Sequence, residues 1–103
     1  MYAVIDRATL LDDAKKVLKP ETIREVERLL FRLEEKHILD RWAMNHPERL
    51  AELAATDLVG LLIRVLDQAH REEQVETQVM QMQRNGVGIA EAMELCGVDM
   101  RLH

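Results

Sequence analysis

Apolar residues along this chain recur at the three- and four-residue steps of an α-helix. Residues 1–8 carry little pattern. Thr9 is a good N-cap for a first helix reaching about Lys19, with Leu10, Leu11, Ala14, Val17 and Leu18 on one face and Asp12, Asp13, Lys15 and Lys16 on the other. Pro20 disfavours helical geometry at Lys19 and suits the first turn of a new helix. That second helix is expected to run from Pro20 or Glu21 to about Met44. Ile23, Val26, Leu30, Leu33 and His37 form a core-facing stripe on it, with Leu29 alongside. Phe31, Ile38 and Trp42 make a second apolar patch on another side, as in a helix central to a bundle or shared with a partner. The run Asn45-His46-Pro47 stops it.

A short third helix follows from Pro47 to about Ala55, carrying Leu50, Leu53 and Ala54 inward. Thr56 or Asp57 caps a fourth, in which Leu58, Val59, Leu61, Leu62, Val65, Leu66 and Ala69 give a broad apolar face. Beyond Ala69 the sequence turns polar. Val75, Val79 and Met82 there keep a narrow stripe that continues the line of Leu61 and Val65 past Gln68 and Glu72. Such spacing with polar flanks fits a partner-facing seam. Asn85-Gly86 ends the helix, and Gly88 opens a short final one. The expected fold is all-α: one domain over 1–103, a bundle of about five helices, two of them long (about 21–44 and 57–84), with short helices at both ends.

Composition agrees with this picture. Two Pro and four Gly are too few for an all-β chain of 103 residues. The aromatics are Tyr2, Phe31 and Trp42 alone, so aliphatic residues and six Met must fill the core. A formal charge of −5 argues against broad affinity for nucleic acid or anionic membranes. The single Cys96 allows no internal disulfide, and no Cys/His pair has zinc-finger spacing. The start of the chain lacks the pattern of a signal peptide, and no apolar run approaches membrane-spanning length. A soluble cytoplasmic protein is expected.

Catalytic chemistry is poorly supplied. There is no Ser, Cys96 lies in an apolar run with no basic neighbour, and "NGVG" at 85–88 lacks the context of a phosphate loop. Glu34 and His37, like Asp67 and His70, have the i, i+3 spacing of di-iron bundles. Those bundles also need one further Glu from each of two other helices, and here Asp67 points away from its helix's apolar face, His70 lies only at its rim and Glu34 is off-centre. No metal, no cofactor and no enzymatic activity are expected. His37, on the apolar stripe, reads as a core histidine before it reads as a pH switch. Arg24, Arg28, Arg32 and Lys36 form a possible basic face, interleaved with Glu21, Glu25, Glu27 and Glu35 as on an ordinary solvated helix.

The segment "GIAEAMELCGVDM" (88–100) resembles the helix-turn half of bacterial helix-turn-helix proteins, and that resemblance implies DNA reading. Met93 stands where close helix crossing favours Ala, and six residues after Gly97 fall short of a recognition helix. A closing helix that packs Ile89, Met93 and Cys96, with Gly97 as its cap, is the simpler expectation. The function expected overall is a non-catalytic helical protein–protein interaction or regulatory protein. It would self-associate, as a dimer, through Phe31, Ile38, Trp42, Val75, Val79 and Met82 of the second and fourth helices. The alternative is a DNA-binding regulator using the C-terminal segment or the Arg24, Arg28 and Arg32 face.

Overall fold

The computed structural model describes residues 11–30 and 32–103. Phe31 and the Thr9 cap lie outside them. The described residues form seven helices: α1 (Asp12–Val17), α2 (Pro20–Leu29), α3 (Leu33–Asn45), α4 (Pro47–Thr56), α5 (Leu58–Gln74), α6 (Glu76–Arg84) and α7 (Ile89–Leu95). The fold is all-α, as the periodicity predicts. The helix count differs because both expected long helices are broken.

The first break separates α2 from α3. Leu30 and Arg32 are extended, at φ −100°, ψ 101° and φ −86°, ψ 143°. Neither Pro nor Gly marks the place. The cause lies in the two apolar faces. Ile23, Val26 and Leu30 form one, while Ile38, Leu39, Trp42 and Ala43 form the other, and all are buried. On an unbroken helix, at about 100° per residue, these faces would point roughly 150° apart. The break lets both enter the same core. It also rephases everything after it. Leu33 and His37, expected on the stripe, are exposed, and Glu35 is buried instead, accepting the Arg32 backbone N–H at 3.3 Å to cap α3.

The second break is at Val75 (φ −107°, ψ 4°), whose N–H turns back to the Glu72 carbonyl. It divides the molecule's apolar interior in two. The main core joins α1–α5, with Leu30, Leu39, Leu50, Leu61 and Val65 almost fully covered. A smaller cluster joins Val79 of α6 to Ala92 and Met93 of α7 and to Val98, with Val75, Met82, Val87 and Cys96 packed around them. Both α6 and α7 end in the same motif. Gly86 (φ 88°) and Gly97 (φ 81°) take the left-handed position that glycine adopts without penalty. The next N–H then bonds five residues back, Val87 to Met82 at 3.0 Å and Val98 to Met93 at 2.9 Å. All four of these residues belong to the smaller cluster or pack against it.

After Gly97 the chain forms no further helix. Residues 98–103 run as a strap from the small cluster back to the main core, where Leu102 is buried. Side chains of α3 and α5 hold the strap by its backbone. Trp42 Nε1 donates to the Met100 carbonyl at 2.9 Å, and Gln68 Nε2 donates to the Asp99 carbonyl at 2.8 Å. No described helix is long and apolar enough to cross a membrane.

Candidate functional site

The stretch where the two apolar clusters meet is open to water. Between α3, the α5–α6 break and α7 lies a cleft of about 190 Å³. Its floor comes from Ile38, Ala69, Val79 and Met93, each already part of one cluster or the other. Its lips are Met80 and Ile89, which remain 48% and 52% exposed and so leave apolar surface at the mouth. Along the rim stand Glu34, Glu72, Glu73 and Glu76, with one cation, Arg32.

The electrostatics are one-sided. Arg32 is shared by Glu73 (3.3 Å) and Glu34 (3.6 Å), and the bond to Glu73 chiefly pushes its guanidinium above the ordinary range. Glu72 is taken by Arg41, with contacts at 2.8 and 3.2 Å, in a half-buried pair that ties α5 to α3. Glu76 has no ion-pair partner among the described residues. The cleft is therefore apolar below and net negative above.

The residues singled out from sequence separate into distinct places. Ile38 and Trp42, expected at a partner surface, are only 2% exposed, because the break turns them into the main core. Val79 is covered too, with Val75 and Met82 half-buried beside it, because α7 folds over the seam. Within one chain these side chains are packed against the chain itself. Ile89 does not pack inward as expected; Ala92 takes that place beside Met93, and Cys96 is half-buried. The possible basic face is split by the break. Arg24 and Arg28 remain on α2, Arg28 pairing with Glu25 at 2.7 Å, while Arg32 joins the cleft and Lys36 lies on α3. His37 is exposed and so is not a core histidine.

Asp67 pairs with Arg71 and His70 with Gln74, so neither acts with the other. Among the described residues no three His, Cys, Asp or Glu side chains gather as a metal set. The helix-turn half at the C-terminus does form, as α7 and Gly97, but a strap occupies the place of a recognition helix. Compared with known protein families, with curated proteins and with solved structures, the chain matches none. Its chemistry rests on its own residues.

Sequence reasoning missed the cleft because its walls belong to four helices and its shape depends on two breaks without Pro or Gly. One signal was present. Glu72, Glu73 and Glu76 follow closely after the apolar face of α5 ends, alongside Met80.

Proposed function

We propose that this chain is a non-catalytic docking protein whose acid-rimmed cleft holds a basic amphipathic helix of a partner protein. The observation that carries the reading is the pairing of an apolar floor with a net-negative rim. Volume points the same way. About 190 Å³ is below the roughly 300–1,000 Å³ of small-molecule pockets, but it suits a few apolar side chains presented by a helix. Lys or Arg on the flanks of that helix would meet Glu34, Glu73 and Glu76. Met80 and Met93 add a pliable surface that adapts to different apolar side chains.

A synthetic amphipathic helix with a leucine face and lysine flanks is the probe, read by fluorescence anisotropy. Binding is expected to weaken with salt, and by roughly tenfold or more in a Glu73→Lys/Glu76→Lys variant, since rim charges govern encounter and register. Both positions are exposed, so the fold should be retained. Equal binding by the variant, or by a scrambled peptide of the same charge, overturns the reading. Reading DNA through residues 88–103 would need a helix that Val98–His103 does not supply.

A second reading, self-association, is favoured by a different surface from the one expected. Val59, Ile63 and Leu66 follow 4- and 3-residue steps on the outer side of α5 and are 69%, 58% and 45% exposed. A second copy of this chain is their occupant in that reading. Three side chains fall well short of the ~800 Å² per partner of a standard interface, so the pairing would be weak and concentration-dependent. Sedimentation over a range of concentrations checks it: a concentration-dependent rise in mass should disappear in Ile63→Glu, and a constant monomer mass rules it out.

A further inference from the structure

The strap builds a second cleft on the opposite charge pattern. Where residues 101–103 cross α4 and α5, an opening of about 410 Å³ is lined by Arg49, Arg64, Arg71, Arg101 and His103. Asp67 is its one acidic lining residue. The chain carries −5 overall, yet four of its fourteen basic residues converge here, and all four are arginines. Three separate segments supply them, so helix periodicity does not explain the gathering.

Three of the four guanidiniums meet a carboxylate at the surface. Arg49 pairs with Glu52 at 2.9 Å and Arg71 with Asp67 at 2.8 Å, each through one contact, while Arg101 meets both oxygens of Asp99 at 3.1 Å, all on exposed side chains. Single-contact surface pairs such as those of Arg49 and Arg71 are worth only about 0–1 kcal/mol and yield to a stronger anion. Arg64 pairs with no Asp or Glu side chain among the described residues, and its guanidinium donates to the main-chain oxygen of His103 on the strap. Planar guanidiniums bind phosphate oxygens bidentately, which ammonium groups do not. The volume falls within the range of small-molecule sites, unlike that of the acidic cleft. It exceeds what one phosphate fills.

We propose that this cleft is a binding site for a small molecule carrying two or more phosphate groups. Arg64 is the guanidinium that no Asp or Glu side chain pairs among the described residues, and Arg101, on the strap, would meet the ligand from the strap. Binding would therefore press the strap onto the main core. Trp42 reports this directly. It is the sole tryptophan, and its Nε1 bonds the strap at Met100.

The test is a titration with pyrophosphate at fixed ionic strength, read by Trp42 fluorescence and by thermal unfolding. A saturable change in emission and a rise in Tm are expected. Both should weaken roughly tenfold or more in Arg64→Gln/Arg101→Gln, since each charged hydrogen bond removed is worth that order. They should persist in Arg28→Gln, which lies outside the cleft. Circular dichroism checks the double variant. Should that variant lose helicity, Arg49→Gln and Arg71→Gln, each expected to weaken binding alone, decide the matter. An equal response to chloride, or undiminished binding without Arg64 and Arg101, overturns the proposal. Duplex DNA binding that needs these arginines, with no response to pyrophosphate, overturns it in favour of nucleic acid.

Discussion

Asp40 caps a helix to which it does not belong. Its carboxylate, on α3, accepts the backbone N–H of Leu11 at 2.8 Å and of Ala14 at 3.0 Å, satisfying two of the donors that open α1. The arrangement holds Leu11 in a left-handed conformation (φ 65°) that costs a non-glycine residue roughly 1–2 kcal/mol, while its side chain is almost fully buried. Burial pushes the Asp40 carboxyl above its ordinary value, outweighing the two N–H bonds, with Asp13 adding to the rise and His37 opposing it. The folded chain thus binds this proton more tightly than the unfolded chain does. Its contribution to stability is complete below the unfolded value of about 3.9 and is lost as pH rises through the folded one. Native protein should accordingly gain stability relative to Asp40→Asn on going from pH 7 to pH 3, measured by urea unfolding. A gap that moves the other way overturns burial as the dominant cause. At neutral pH, Asp40→Ala should lose about 1–2 kcal/mol with its cap. None of this was legible in the sequence, because the capping residue lies well over twenty positions from the helix it serves.

Elements fared better than residues. Pro20 and Pro47 open α2 and α4 as expected, Asp57 caps α5 by accepting the Gly60 N–H at 3.0 Å, and Gly86 and Gly97 end α6 and α7. Each carries local chemistry that one residue states by itself. The breaks at Leu30–Arg32 and Val75 carry none, being imposed by faces that must reach a common interior. They left one trace, the two apolar sides of residues 23–42. The separate small cluster yields a prediction at this scale. Val79 is its most buried α6 side chain, at 3% exposure. Val79→Ala should lower the free energy of opening α6–α7 by about 2 kcal/mol. Hydrogen exchange is expected to speed there while α3 and α5 keep their protection. Uniform loss of protection along the chain would mean that the two clusters unfold together.

At the scale of the molecule, extents of 42 × 30 × 20 Å and a radius of gyration of 14.1 Å exceed the roughly 13 Å of a round domain this long. Helix α5 contributes to both clefts. Ala69, Glu72 and Glu73 enter the acidic one, and Arg64, Asp67 and Arg71 the basic one. Charge along the sequence averages these signs away, which is why a total of −5 hid the arginines. Increasing salt should therefore weaken both the basic helix and the polyphosphate, each at its own site, by screening rim charges of opposite sign.

The course of the chain through the small cluster has a bearing on how the protein tolerates change. Residues from Val75 to Met100 leave the main core at the end of α5 and return to it at Leu102. They form an excursion tied down at both ends. For a flexible loop, closure entropy grows by only about 0.6 kcal/mol per doubling of length. Insertions at the 85–88 turn, which is largely exposed, would lengthen the excursion without moving either anchor. The outer wall of the acidic cleft can thus be rebuilt while α1–α5 keep their packing, so the shape of the cleft and the fold are free to vary separately.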